Sequence, residues 1–298
     1  MPLVPELQPP LSATSARRSP PECGVRGLFG RDYIDLGPYL ATVDWSALHE
    51  EICLGLSQVP LDYTGGSHRS MQIMPPSREH EVVVDYGEVI RDLDAAAFET
   101  FRSLADDPGA IDVSRRNEIE FGEERAVPLS RRQMAWLKVR FGVYFPWKGY
   151  LELIPSRSWG DKASSEGKQF TRVAQAFFSR TIAFVRSLPF TAIGRCNIMG
   201  VEAFDYGTVH RDGHPDEQVE PDHFISFCPA GNKALFLWDE PQRREIDVDA
   251  KAYWFNDFDY HGVRAAPFFR YSVRVDGVFE PSFLARIKDG IKSESRLP

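Results

Sequence analysis

HFISFCPAGNKALFLWDE, residues 223–240, is the stretch on which the fold turns. Two short runs rich in aromatic and β-branched residues flank Gly231-Asn232. Each is too short for a packed helix, so they read as strands separated by a tight connection. The same texture extends outward on both sides: TAIGRCNIMGVEAF (191–204), REIDV (244–248), KAYWFN (251–256) and FFRYSVRVDGVF (268–279), with Asp239-Glu240-Pro241 as a further turn. Everything from Pro189 to about residue 280 therefore reads as all-β, at the strand spacing of a double-sheet jelly roll, a fold that encloses a pocket between its sheets.

Upstream the pattern is mixed. Phe170, Val173, Phe177, Ile182 and Val185 recur at helical spacing between a Ser-Ser-Glu start and Pro189, which predicts one helix over 165–188. A helical patch near 94–105 and an apolar stretch HEVVVDY (80–86) belong to the same lead-in. The first 24 residues are rich in Pro and Ser, lack the apolar core of a secretory signal, and read as a disordered arm. The expected organisation is a 1–24 arm and one domain over 25–298, with an α/β lead-in (25–188) and a jelly-roll core (189–280). The fold class is α+β, a double-stranded β-helix (cupin-like) core with flanking helices.

Composition narrows the function. With 43% hydrophobic residues the chain can bury a large core, and 35 Lys plus Arg against 43 Asp plus Glu give a net charge of −8. No broad basic surface is available to displace counterions from nucleic acid. AQAFFSRTIAFVRSLPF (174–190) is broken by Arg180 and Arg186, so no membrane span is expected. Cys23, Cys53, Cys196 and Cys228 form no zinc spacing and read as reduced thiols of a cytoplasmic protein. There is no GxGxxG after a strand, no P-loop, no HExxH and no GxSxG.

His210 and Asp212 stand one residue apart in GTVHRDGH, so on an extended segment both side chains point to one face, as two ligands of one ion must. Alone, such a pair also fits a surface turn. His261, in FNDFDYHGV, follows 51 residues after His210, with enough short strands between to bring the chain back. On the strand FFRYSVRV, alternation puts Arg270, Ser272 and Arg274 on one face, either inward with an anion to bind or outward on a solvated edge.

HRD at 210–212, His261 and the Arg-x-Ser of 270 and 272 together resemble the iron(II)/2-oxoglutarate-dependent dioxygenases over about residues 190–280. The resemblance implies that His210, Asp212 and His261 hold Fe(II), that Arg270 pairs with the distal carboxylate of 2-oxoglutarate, and that Ser272 hydrogen-bonds it. It further implies O2 as co-substrate, with succinate and carbon dioxide as products. Asn197, on the strand before the first ligands, falls where the family often places a polar residue near the co-substrate. Arg274 lies outside that mapping and is left between a substrate or co-substrate carboxylate and a structural salt bridge.

An intact Asp212 disfavours halogenation, which in related enzymes needs that position free of a carboxylate. The implied activity is hydroxylation of an unactivated C–H on a small-molecule substrate that is polar, such as an amino acid or natural-product intermediate. A peptide or protein side-chain hydroxylase and a non-catalytic cupin-like binding module are the alternatives. His214 and His223 sit in an acidic loop that reads as a solvated cover over the pocket mouth rather than a second metal site. SHRSMQIMP (67–75), Lys138 and Arg140 read as surface.

Overall fold

The computed structural model describes residues 24–63, 74–78, 84, 86–122, 127–145, 147–156, 159–213, 220–231 and 233–294. The expected arm, apart from Gly24, lies outside them, as do His214 and most of the 67–75 and 80–86 stretches. The lead-in contributes β1 (Tyr33–Asp35), α1 (Trp45–Leu56), α2 (Tyr86–Asp92), α3 (Ala95–Ser103), α4 (Arg131–Phe141), β2 (Gly149–Ile154), α5 (Arg172–Phe177) and α6 (Ser179–Ser187). There follow β3 (Phe190–Val201), β4 (Gly207–His210), β5 (His223–Phe227), β6 (Leu235–Asp239), β7 (Arg244–Asp247), β8 (Ala252–Phe255), β9 (His261–Val263), β10 (Arg270–Phe279) and α7 (Pro281–Glu294). No helix among the described residues is long and apolar enough to cross a membrane.

The fold is mixed, with helices on two antiparallel sheets of order β1-β8-β5-β10-β3-β2 and β4-β9-β6-β7. From β3 onward the chain passes between sheets at almost every step. The exception is β6 to β7, a hairpin in which Arg243 takes a left-handed conformation at φ 50°. The Gly231 turn has φ 107° and joins strands of different sheets, so it is a crossing rather than a hairpin.

β10 is the spine of the larger sheet, paired with β3 on one side and β5 on the other. Its odd-numbered residues Tyr271, Val273 and Val275 face the helices. There Phe227, opposite Val273, meets Trp45 of α1 and Phe184 of α6, and His49 of α1 stacks on Tyr271. The even-numbered residues Arg270, Ser272, Arg274 and Asp276 face the other way and are equally buried. A strand buried on both faces whose second face is charged cannot be packing on core alone. A separate cluster of Phe98, Phe101, Met134, Leu137 and Phe145 holds α2, α3 and α4 together.

The helix expected over 165–188 starts later and is broken. Thr171 caps α5 by accepting from the Ala174 N–H, and the chain kinks at Phe178 (φ −130°, ψ 42°) before α6 begins. The cause lies on another element. Glu51 of α1 accepts from the backbone N–H of Arg180 (2.7 Å) and Thr181 (2.8 Å) and from the Thr181 hydroxyl (2.8 Å), capping α6 in trans. The fully buried Phe178 ring packs on Gly55, where a Cβ would come within 2.5 Å of it. Glu51→Ala should therefore destabilise the protein by about 1–3 kcal/mol, with Glu51→Gln costing less, as read by urea denaturation.

Candidate metal centre

His210 and His261 are direct partners in the β4–β9 ladder, so the register of the smaller sheet places their side chains next to each other. Their ring centroids lie 4.6 Å apart. Each imidazole is oriented by the same device, in which Nδ1–H donates to the carbonyl two residues earlier: Thr208 O at 2.8 Å for His210, and Asp259 O at 3.0 Å for His261. A carbonyl can only accept, so the proton is on Nδ1 and the Nε2 lone pair is left for a ligand.

β4 ends at His210, and Asp212 lies in the turn beyond it, not on an extended segment with His210 as the His-x-Asp spacing predicts. The backbone N–H groups of Asp212 and Gly213 both donate to Asp257 O, at 3.0 and 3.2 Å, and this curls the chain back over the histidines. Asp212 Oδ1 then sits 3.5 Å from His210 Nε2 and 3.8 Å from His261 Nε2. The three donor atoms lie within 4.8 Å of one another, and among the described residues no other His, Cys, Asp and Glu group has such a geometry.

The protonation states suit a cation. Burial, partly opposed by Asp212, lowers the His261 pKa to about 4, so the imidazole is neutral at neutral pH. Burial would raise the Asp212 carboxyl, but Arg274 and the two histidines outweigh it and hold the group well below the usual carboxylate range. Two imidazoles that turn Nε2 toward one carboxylate form the donor set of a facial triad, which fits iron(II) and leaves further coordination positions open.

The larger sheet supplies the remaining residues. Asn197, opposite Arg274 on β3, donates through Nδ2 to the Tyr150 hydroxyl at 2.7 Å, while its Oδ1 is buried without a partner among the described residues. Ser272 accepts from Lys233 Nζ at 2.7 Å, and that ammonium also lies 4.1 Å from the centre of the Trp147 ring. Burial lowers the Lys233 pKa to about 7, with Arg270 and Arg274 adding to the effect and Cys228 opposing it. Arg270 donates to five backbone carbonyls, Glu202, Asp205, Arg264, Ala266 and Phe268, and so ties the β3–β4 and β9–β10 loops together. Arg274 pairs through Nη1 with Asp212 Oδ2 and through Nε with Asp276 Oδ1 at 2.9 Å, above the Phe224 ring.

The site thus brings together His210, Asp212, His261 and Arg274, with Asn197 facing Arg274 across the ladder and Ser272 one step along β10. It gives Arg270 a set of partners on the loops. His223 stands apart: its Nδ1 accepts from the Phe279 N–H at 3.1 Å and its ring stacks on Phe279. Lys138 and Arg140 lie over the Tyr63 and Trp136 rings. Two site residues had gone unmarked in the sequence. Asp276 continues the alternation of 270, 272 and 274 and was there to be found, whereas Lys233, at the foot of an apolar run, carries no signal of its own.

No family model and no curated protein sequence matches the chain. Solved structures do match in part. An oxidoreductase of the 2OG-Fe(II) oxygenase family from Burkholderia pseudomallei is 13% identical, over 43% of this chain and just under two thirds (66%) of its own, with a TM-score of 0.26. A prolyl-4-hydroxylase from Pseudomonas putida is 10% identical over 45% of this chain and 73% of its own, with a TM-score of 0.26. The viral collagen prolyl hydroxylase of Paramecium bursaria Chlorella virus-1 is 10% identical over 44% and 79%, with a TM-score of 0.25. Likeness at this level carries no functional argument of its own.

Replacing His210, Asp212 or His261 by Ala should weaken Fe(II) or Co(II) binding at least about 100-fold, whereas His214→Ala should leave it within about threefold, as measured by titration calorimetry. Equal binding by all four variants would refute the triad as the metal centre.

Proposed function

We propose that the chain is an iron(II)/2-oxoglutarate-dependent oxygenase on a double-stranded β-helix, hydroxylating an unactivated C–H bond of a small polar molecule. The fold reading is supported by strand order: β3 to β10 supply four strands to each sheet, as β3-β10-β5-β8 and β4-β9-β6-β7. The observation that carries the function is the pairing of the His210–Asp212–His261 triad, its aspartate ionised, with a buried lysine that contacts the next inward residue of β10. Arg274 touches Asp212, and Ser272, two residues along the same face of β10, touches Lys233. The two attachment points on β10 lie about 7 Å apart along the strand.

In this reading His210, Asp212 and His261 hold iron, which with 2-oxoglutarate and O2 supplies an oxidant able to abstract hydrogen from carbon and leaves succinate and carbon dioxide. Lys233 and Ser272 hold the distal carboxylate, through a charge-assisted hydrogen bond and a neutral one. The anchor is thus assigned to Lys233 in place of Arg270, whose two terminal nitrogens already face five carbonyls. Asn197 Oδ1, a buried acceptor opposite Arg274, offers a partner to an N–H or O–H of a small polar substrate; 2-oxoglutarate carries only acceptor oxygens and has no donor for it.

With Fe(II) and ascorbate the protein should convert 2-oxoglutarate to succinate, faster when an amino-acid screen reaches the true substrate. No succinate under any of these conditions would overturn the reading in favour of a binding module, and stimulation by peptides alone would move the substrate class.

Lys233→Met should raise half-saturating 2-oxoglutarate about tenfold or more while sparing metal affinity. Arg270→Lys should lower thermal stability and shift that requirement less than about threefold. Only protonated Lys233 binds the anion. With its pKa near 7, binding above that pH must take up a proton, so affinity should fall about tenfold per pH unit above roughly pH 7. A flat profile, or one unchanged in Lys233→Met, would refute the anchor.

A further inference from the structure

Asp212 offers two oxygens, and the protein uses both. Oδ1 faces the two histidine Nε2 atoms, and Oδ2 is bound by Arg274 Nη1. The guanidinium that makes this contact is itself held at two further points, one of them braced in turn by Arg195. Its Nε donates to Asp276 Oδ1 at 2.9 Å, Asp276 Oδ2 accepts from Arg195 Nε at 3.0 Å, and the Phe224 ring lies 4.0 Å below its central carbon. The Asp212 main chain is held separately by Asp257 O. Neither the carboxylate nor its partner can turn without breaking a buried charged hydrogen bond.

From this geometry we infer that Arg274 is a positioning residue that restricts Asp212 to one ligand oxygen and so keeps a third coordination position of the metal exchangeable. A carboxylate with a free second oxygen closes readily onto a divalent cation as a bidentate ligand. With two imidazoles, that mode would fill four of six octahedral positions and leave two. A monodentate Asp212 leaves three, enough for a chelating keto acid and one further small ligand together. The pairing therefore bears on what the centre can bind at once, and a salt bridge that only held the sheets together would have no such effect.

The inference rests on the triad being a metal centre, and the experiment separates the two. Mn(II) is loaded into the intact protein and the water-proton relaxivity is measured, since it scales with the number of exchangeable waters on the ion. Wild type should show about three waters, and 2-oxoglutarate should displace about two of them. Arg274→Met, in which Asp276 keeps Arg195, should fall to about two as Oδ2 closes onto the ion, and Arg274→Lys, which restores a donor, should return to about three. A wild type that binds Mn(II) with only two waters overturns the inference and leaves the metal centre standing, and so does an Arg274→Met protein that keeps three. A wild type that binds no Mn(II) overturns both. If Arg274→Met does not fold, a wild-type count of two still overturns the inference, and Arg274→Leu replaces Met in the comparison, with the same expected fall to about two waters.

Discussion

A charge carried into the interior of a protein has to meet its opposite there, because the cost of stripping water from an unpaired ion exceeds what a domain can absorb. The inward face of β10 carries that constraint. Arg274 and Asp276 are at most 7% exposed, and they sit in an alternating series from Arg195 through Asp276 and Arg274 to Asp212. The first three belong to the larger sheet and the last to the turn that closes β4 of the smaller one. The two sheets are thus joined across the interior by ion pairs as well as by apolar packing, and the orientation of the Asp212 carboxylate is set jointly by the turn held at Asp257 and by the arginine that β10 places against it.

The same economy governs the histidines. Neither ring depends on a side chain for its orientation; each donates Nδ1–H to the carbonyl two residues back, so a strand conformation that points the ring inward also selects its tautomer. The ladder register then sets the spacing between the rings, and burial keeps His261 neutral. Position, tautomer and protonation all follow from two short strands being paired and buried, and changes to the backbone around Asp257 or Asp259 would reach the donor set without touching a ligand.

The parts of this protein that could be read from its sequence are those with local causes. Short runs rich in β-branched and aromatic residues between turn residues marked six of the eight strands from 190 to 279, missing the very short β4 and β9, and residue types at plausible spacing picked out the triad, because ligand chemistry restricts which side chains can serve. Interactions between distant segments left no such trace. The break at Phe178 is made by Glu51, whose role in capping α6 cannot be seen from the helical spacing of 170–185. Asp212 keeps its expected place in the triad but reaches it through a turn held by Asp257. The short strands β1 and β2, far apart in the lead-in, add the two edges of the larger sheet.

Arg270 and Lys233 show why residue type alone did not settle which cation faces a ligand. A guanidinium stays charged under all ordinary conditions and presents its donors in a rigid planar fork, so once buried it needs permanent acceptors on several sides. Five carbonyls converging from two loops meet that need at the two terminal nitrogens, while Nε is buried without a partner among the described residues, and the result is a structural clasp. An ammonium can release its proton, and burial has brought Lys233 to about 7, close to where both states are populated. Such a group tolerates an interior in which both protonation states are accessible, neutral or charged beside Ser272 and Trp147, and the proposed anchor uses that property. In the proposed site the permanent charge is the one whose acceptors are backbone, and the adjustable charge is the one left for a ligand.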